Sequence, residues 1–540
     1  NLHFFLPKTY IFKLPLTPIQ GFYLITTYLA KWILRGDLKM EVELMSRDKL
    51  ETAKIQLSQL QQSVFEDLGL SPILNEMSGD NVYLKQVVLK TWFTPMLSKS
   101  EIEYRQEAVA DSFTHQSEIN EIYQLVTQTV RRAREDYWTL SSGSASYRVI
   151  SSARKIKNYL KYLNELMRFS NRHWNSKNFQ DFFNNLDNVF SPAKMTDMNN
   201  VIDAILAENN QSYYVKLLDD FSSGIKDSEY NLKKDSVTKM VDSIRDHYEK
   251  KKSKFSVAER DDNSLNAITE YENFAKSALA IKIVNTANEF DNFFDQLKFQ
   301  TAFLLGVVNL RSRLSKYVPI TFPKVSDKTH IQELRNVTLQ LHLGDKPAVG
   351  NDLTNSYLSL LIISGANQGG KTTMLRAIGQ AQIMMTSGMF VVAKKYVSAL
   401  HDGIYTHFKR EEDSSLKIGK LENELKRMAM IVDVVTPSSL VLMNESFSST
   451  NEYEGSQISA QIISGLVNSH ITVVAVTHQY EFLKLLNLDH NIEALFLRPE
   501  RKSNGNRSYK MLVGLPTKTS FGLDIFNKFF HDKPTSKLNT

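Results

Sequence analysis

Residues 40–324 are predicted to form a long α-helical region, and residues 325–540 an α/β domain centred on a strand–glycine loop–helix unit. Three observations predict this. First, glycine (21) and proline (13) are scarce among the 540 residues. Proline is absent between Pro95 and Pro192 and again between Pro192 and Pro319, and only Gly143, Gly224 and Gly306 interrupt residues 96–318. A β-rich region of that size would need many turns, and turns need these residues. Second, after Pro319 short apolar runs appear: SLLIIS, MFVVA, SLVLM and ITVVAVT. Each is of the buried-strand type and alternates with helical patterns, as in α/β domains. Third, SLLIIS leads directly into the glycine-rich run Gly365–Thr373.

The helical elements follow in chain order. Residues 41–97 read as helical, with KLETAKIQLSQLQQSVFEDLGL carrying apolar residues at three- and four-residue steps before Gly69 and Pro72. Ser100, ahead of Glu101 and Glu103, reads as a helix N-cap with acidic residues in the first turn. That helix is expected to continue toward Trp138, with Ser141–Ser146 as a small-residue break. Residues 265–316 make the clearest long helix, about 75 Å at 1.5 Å per residue, a lever in its proportions. Residues 195–262 between are polar and charged, and include Lys250, Lys251, Lys252 and Lys254. By themselves such lysines describe a solvated helix face, as do Arg131, Arg132 and Arg134. A phosphate-contacting tip is the sharper alternative.

Composition narrows the function classes. The 65 Lys+Arg against 59 Asp+Glu give a net charge of +6, which permits an anionic partner but is far from a nucleic-acid-coating surface. With 42% hydrophobic residues a large core is available, and with no cysteine there is no thiolate metal site, disulfide or thiol nucleophile. Cysteine-free composition fits a reducing cytoplasm. Residues 1–39 are read as an N-terminal extension that is not necessarily native, ahead of Met40. Within residues 10–34, Lys13, Pro15, Pro18 and Gln20 leave an apolar run short of the roughly 20 residues a spanning helix needs, so membrane insertion is not expected.

The run Gly365, Ala366, Asn367, Gln368, Gly369, Gly370, Lys371, Thr372, Thr373 has the spacing G-x-x-x-x-G-K-[ST], with a strand before it and the helical MLRAIGQAQIMM after it. Glycines there let backbone N–H groups turn toward phosphate oxygens, and the helix N-terminus adds positive charge. Lys371 is expected to reach the β/γ-phosphates of ATP and the Thr372 hydroxyl to meet Mg²⁺. About 70 residues on, SLVLM ends in Asn444 and Glu445. An acidic pair is usual at such a strand end, the first residue holding the metal through its shell and the second orienting water. Here Asn444 carries no charge, and Glu445 remains as the group that can take a proton. A further strand ends at Thr477–His478, where ABC-like ATPases place a histidine at the γ-phosphate.

These residues resemble the MutS family of DNA mismatch-repair ATPases. The likeness rests on GANQGGKTT, SLVLMNESFSSTNEYEG, VTHQYEF and YKMLVGLPTKTSFGLDI, with PAVGNDL before the loop and FVVAKKYVSALHDGIYTHF after its helix. TWFTPMLSKSEIEYRQEAV and the helical region resemble the family's core and lever domains. The resemblance implies an α-helical core/lever region followed by an α/β P-loop, ABC-like ATPase domain. It implies ATP and Mg²⁺ as cofactors, double-stranded DNA as partner, a cytoplasmic location, and a homodimer closing through its ATPase domains around two nucleotides.

Departures qualify the implied function. Mismatch-reading and connector domains do not fit before the core, the clamp is reduced or helical over 195–262, and no Smr nuclease domain is expected. The family's Ser-x-Phe-x-x-Glu signature, which reaches across the dimer, falls on Gly419 to Glu424, so glycine replaces its serine. Ser448, Ser449 and Thr450 replace Arg-Gly-Thr, and Ala348 stands near a position where an aromatic stacks on adenine. The readings are therefore a DNA-associated ATPase in mismatch repair or related DNA maintenance, a nucleotide-gated clamp or scaffold with little hydrolysis, or a lever ATPase acting on ribosomes or branched nucleic acid.

Overall fold

A computed structural model describes residues 40–138, 145–210, 262–314, 318–355, 358–365, 368–410, 419–479, 481, 482, 485, 494–501 and 507–514. The extension over 1–39 and the lysines from Lys250 to Lys254 lie outside these residues. A helical N-terminal region leads into a domain of mixed α/β sheet. The chain divides into two compact units, residues 1–43, 120–175 and 179–298 in the first and residues 44–119, 176–178 and 299–540 in the second.

Four helices begin the described chain: α1 (Gln59–Asp67), α2 (Ser71–Ser78), α3 (Val82–Trp92) and α4 (Lys99–Ser112). A reciprocal capping box starts α1. Ser58 Oγ accepts from Gln61 N at 3.2 Å, and Gln61 Oε1 accepts from Ser58 N at 3.0 Å. Residues 41–58 are not helical, so helix formation starts later than the apolar pattern alone suggests. N-capping of α4 falls to Ser98 rather than Ser100, and the two hydroxyls sit 2.8 Å apart. Nor does α4 run on to Trp138. It stops at Ser112, and α5 (Gln116–Trp138) follows. Asp111 explains the stop: its buried carboxylate accepts from Ser176 N at 2.8 Å and Ser176 Oγ at 2.9 Å and faces His115 Nδ1 at 3.0 Å, while Thr114 Oγ1 donates to its carbonyl at 2.8 Å. Local side-chain bonds of this kind compete with helix propagation.

The first unit is helical among its described residues. It holds most of α5, then α6 (Ala145–Leu166), a 3₁₀ turn at Met167–Asn171, all but the first two residues of α7 (Lys177–Val189), α8 (Pro192–Asn210) and the first part of α9 (Asp262–Arg313). At 52 residues, α9 is the long helix expected, three residues displaced toward the N-terminus. Aromatic packing makes the core: Tyr159 stacks on Phe290 and Phe294 with centroids 5.6 and 4.9 Å apart, and Trp174 on Phe179 at 4.2 Å. Lys155 and the Tyr159 hydroxyl converge on Asp291, satisfying a carboxylate that burial would otherwise penalise.

In the second unit the order continues β1 (Lys324–Val325), β2 (Thr329–Leu334), α10 (Val337–Leu343), β3 (Asn351–Asn355), β4 (Leu360–Ser364), α11 (Lys371–Thr386), β5 (Lys395–Ser398), β6 (Ile404–Phe408), α12 (Lys420–Val432), β7 (Leu440–Asn444), α13 (Glu452–Asn468), β8 (Thr472–Thr477), β9 (Ala494–Arg501) and β10 (Arg507–Val513). One sheet has the order β1-β5-β2-β3, the other β10-β9-β4-β8-β7-β6. From β9 to β6 the second sheet is parallel, with β10 antiparallel at its edge. β4, β7 and β8 are buried on both faces, which is why they read as continuous apolar runs. The run MFVVA is different. It is buried, yet makes only an isolated bridge from Val391 to Thr321, while Val392 O accepts from Arg335 N. Apolar content alone does not distinguish such a segment from a strand.

α11 is the helix that matters most for the site, and nearly all of it is buried. Gln380 fastens its middle: Nε2 donates to Leu68 O at 2.9 Å, and Oε1 accepts from Val337 N at 2.9 Å. Its C-terminal end is held by Met96 N on Thr386 O (2.9 Å) and Arg105 Nη1 on Ser387 O (3.2 Å). A cation at that end suits the helix dipole.

Candidate functional site

The register of the parallel sheet sets Ser364 beside Thr477 and Asn444 beside Val476, so β4, β8 and β7 end along one edge. Ligands of open α/β sheets bind outside the carboxyl ends of the strands. At this edge β4 turns into α11 through Gly365 (φ 135°) and Gly370 (φ 91°), conformations that side chains rarely adopt. A Cβ on Gly365 would also lie 2.8 Å from Pro499 Cδ. Gln368 takes φ 62° without being glycine, as strained loops at functional sites do. Ala366 and Asn367 fall outside the described residues. Gly369 and Gly370 lead into the first turn of α11, whose leading N–H groups have no partner within the helix.

Lys371 is 5% exposed, and its Nζ donates to Gly365 O at 2.7 Å. Burial lowers its pKa and the Glu445 carboxylate works against that. Thr372 Oγ1 donates to Asn444 Oδ1 at 3.0 Å, joining the helix start to the end of β7. Thr373 is tied at its carbonyl by Asn336 Nδ2 at 3.3 Å. Glu445 sits at φ 51° with its N–H on Val476 O at 2.9 Å. Its carboxylate lies 3.5 Å from His478 Nδ1, and that contact holds the Glu445 pKa below the ordinary value against the effect of burial. Lys371, Thr372, Asn444, Glu445 and His478 are thus brought to one strand edge.

Gly419 and Glu424 are placed differently. Gly419 caps α12 at the surface, with open space where a side chain would begin. Glu424, one turn on, is buried, and Ser449 Oγ donates to its Oε2 at 2.9 Å. Desolvation raises its pKa. Ala348 is buried too, its N–H on Gln340 Oε1 (2.8 Å) and its carbonyl accepting from Arg335 Nε (2.9 Å).

Two residues escape sequence reasoning. Tyr509 is half-exposed at φ 59° in an irregular stretch of β10, and its Cδ1 lies 3.7 Å from where a Gly370 Cβ would stand. Asn351 brackets it, accepting from Met511 N at 2.7 Å and donating to Tyr509 O at 3.4 Å. The other is His407 at the end of β6, buried behind the Glu445 loop. Neither carries a spacing signal, because each meets the site only through the sheet.

The donor set suits a hard cation: a hydroxyl, an amide oxygen and a carboxylate. Among the described residues no group of three or more His, Asp or Glu side chains is placed to hold a metal, so an ion here would depend on ligands brought by a substrate.

The model of the MutS2 N-terminal domain matches residues 98–317, and that of MutS domain V matches residues 361–534. The chain belongs to the MutS family. It is similar to Endonuclease MutS2 of Thermus thermophilus, 26% identical over 236 residues that cover 41% of this chain and 29% of that protein. It is similar also to DNA mismatch repair protein MutS of Prochlorococcus marinus, 28% identical over 217 residues, 37% of this chain and 24% of that one. MutS protein homolog 4 of Mus musculus is 28% identical over 220 residues, 39% and 22% of the two chains. Each match therefore spans less than a third of the relative. Among the described residues no helix is long and apolar enough to cross a membrane.

Proposed function

We propose that the chain binds ATP at the Gly365–Thr373 loop and hydrolyses it, as a MutS-type P-loop, ABC-like ATPase in cytoplasmic DNA maintenance. The observation that carries this reading is the Thr372–Asn444 hydrogen bond between the start of α11 and the end of β7, with Lys371 and Glu445 on either side. Lys371, already held by the Gly365 carbonyl, would trade that acceptor for phosphate oxygens. Gly369, Gly370 and the leading N–H groups of α11 would surround the phosphates. Glu445, kept ionised beside His478, is the base for the attacking water, and His478 would meet the γ-phosphate. Tyr509 would wall the pocket over Gly370. Thr372 would hold Mg²⁺, with the Asn444 amide oxygen acting indirectly through its shell, and the ion would supply charge neutralisation at the phosphates.

DNA is the proposed partner, double-stranded and held between the helical levers, with Lys250, Lys251, Lys252 and Lys254 among its phosphate contacts. Two copies would close through their ATPase domains, Gly419 facing the partner's nucleotide. A second reading, a nucleotide-gated clamp with little turnover, is favoured by the uncharged Asn444 at the proposed metal position and by Gly419 in place of the signature serine.

Lys371→Ala should abolish tight ATP binding while leaving the fold intact, since it removes the cation of the cradle. Glu445→Gln should keep binding and stop hydrolysis, because an amide can orient water but cannot take its proton. Equilibrium binding of a fluorescent ATP analogue and steady-state phosphate release decide both. Unchanged affinity in folded Lys371→Ala would remove the loop from consideration, and a Glu445→Gln variant equal to an inactive wild type would favour the clamp.

A further inference from the structure

His407 takes no part in the chemistry above, yet it is wholly buried against the segment that carries Glu445. Its ring stacks on Phe447 with centroids 5.0 Å apart and planes 26° apart. Nε2 lies 3.0 Å from the carbonyl oxygen of Glu424 on α12, and Nδ1 lies 2.7 Å from Ser446 Oγ. A carbonyl can only accept, so Nε2 carries the proton. Burial keeps the ring neutral and pushes its pKa down to about 4, helped by Arg427 and Arg410 and opposed by the bond to Glu424. The neutral ring leaves Nδ1 as an acceptor for the single Ser446 hydroxyl proton, for which the His407 carbonyl oxygen, 2.8 Å from Oγ, competes.

One side chain thus joins two elements. Glu424 grips the loop a second time, through its carboxylate on Ser449. Beside the first fastening and between the two the backbone is strained: Glu445 and Phe447 hold φ 51° and 57°, which non-glycine residues keep only where the surroundings over-determine them. His407 and Glu424 supply that determination from one side, and the bond from Glu445 N–H to Val476 O from the other.

We propose that His407 is a positioning residue for Glu445: its ring ties the Glu445–Thr450 loop to α12, so that Glu445 keeps its placement only while α12 is docked. Glu424 then acts within its own chain. A contact made at the exposed start of α12, at Gly419, is carried through Glu424 and His407 to the proposed base. The catalytic part of this inference rests on the ATPase reading above; the tie itself does not.

The test uses the full chain with His407→Phe, which keeps the stacking and loses both hydrogen bonds, and His407→Gln, whose amide nitrogen reaches about as far as Nε2 and can donate to Glu424 O. Amide hydrogen exchange is followed in peptides covering 445–450 and 420–428, with ATP-analogue affinity, kcat and KM measured alongside. His407→Phe should speed exchange in both segments about tenfold or more. It should lower kcat about tenfold or more while KM and ATP affinity stay within about threefold, and His407→Gln should recover most of the loss. Wild-type exchange at 445–450 in His407→Phe would overturn the proposal. So would equal losses of affinity and kcat in both variants, the pattern of a purely structural role. Should His407→Phe unfold, the comparison of His407→Gln with Ser446→Ala decides: because Ser446 also bonds the His407 carbonyl, faster exchange at both 445–450 and 420–428 in Ser446→Ala but not in His407→Gln sustains the tie to α12, and any other pattern overturns it. Should wild type fail to bind ATP, the ATPase reading falls, and exchange alone judges the tie by the same outcomes.

Discussion

At the scale of single residues the decisive substitution is Asn444. An asparagine accepts the Thr372 hydroxyl as an aspartate would, so the geometry at the end of β7 survives without the charge. A unit charge about 4 Å from a cation contributes about 1–4 kcal/mol at high effective dielectric. Asn444→Asp should therefore lower the Mg²⁺ concentration for half-maximal ATP binding about tenfold, with a gain in turnover if hydrolysis is metal-limited. A Mg²⁺ titration of nucleotide binding reads this directly, and an unchanged midpoint would turn Asn444 away from the metal. Glu445 and His478 show how a pair tunes a group that lies half in water: the histidine contact, more than any other, holds the carboxylate in its ionised form.

At the scale of elements, α11 connects the site to the helices that precede it. Gly379 sits where the helix is crossed most closely: a Cβ there would lie 2.7 Å from both Leu442 Cδ1 and Leu68 Cδ2. Alanine gains about 1 kcal/mol of helix propensity over glycine, yet pushing apart β7 and the turn after α1 costs about 1–3 kcal/mol. Gly379→Ala should thus be neutral to destabilising by up to about 2 kcal/mol, and larger residues more so, as followed by denaturant unfolding. A clear stabilisation would mean that Leu68 has room to yield. α4 and α5 teach a related lesson. Two stretches of helix-favouring sequence are kept apart by a carboxylate whose partners include Ser176, 65 residues away.

For the molecule as a whole, the mild net charge of +6 puts any hold on DNA in local clusters rather than in a global field. Each Lys or Arg at a phosphate releases counterions and contributes a log–log salt slope of about −0.9. Replacing Lys250, Lys251, Lys252 and Lys254 with Gln should flatten the salt dependence of duplex binding by up to about 3–4 units if all four touch phosphates. Fluorescence anisotropy across a salt series measures it, and an unaltered slope would return the run to a solvated helix face. The two matching family models fall one in the helical region and one on the mixed sheet.

By itself the sequence determined what is local. The loop from Gly365 to Thr373, the apolar strands on each side and the ends at Asn444 and His478 were legible because backbone conformation and strand burial are written in adjacent residues. The scarcity of turn residues likewise announced the helices, including the 52 residues of α9. Tertiary structure decided the rest. MFVVA looks like a strand but finds a single bridging partner, and helix α4 ends where a distant serine reaches Asp111. Tyr509 reaches Gly370, and His407 the loop after Glu445, only because strands far apart in sequence share one sheet. Glu424, on the motif that the family resemblance assigns to contact across a dimer, is buried and accepts from Ser449 of its own chain. Each of these depends on a partner more than 20 residues away, and a buried polar group takes whichever partner the fold delivers, because leaving it without one costs more than any local preference.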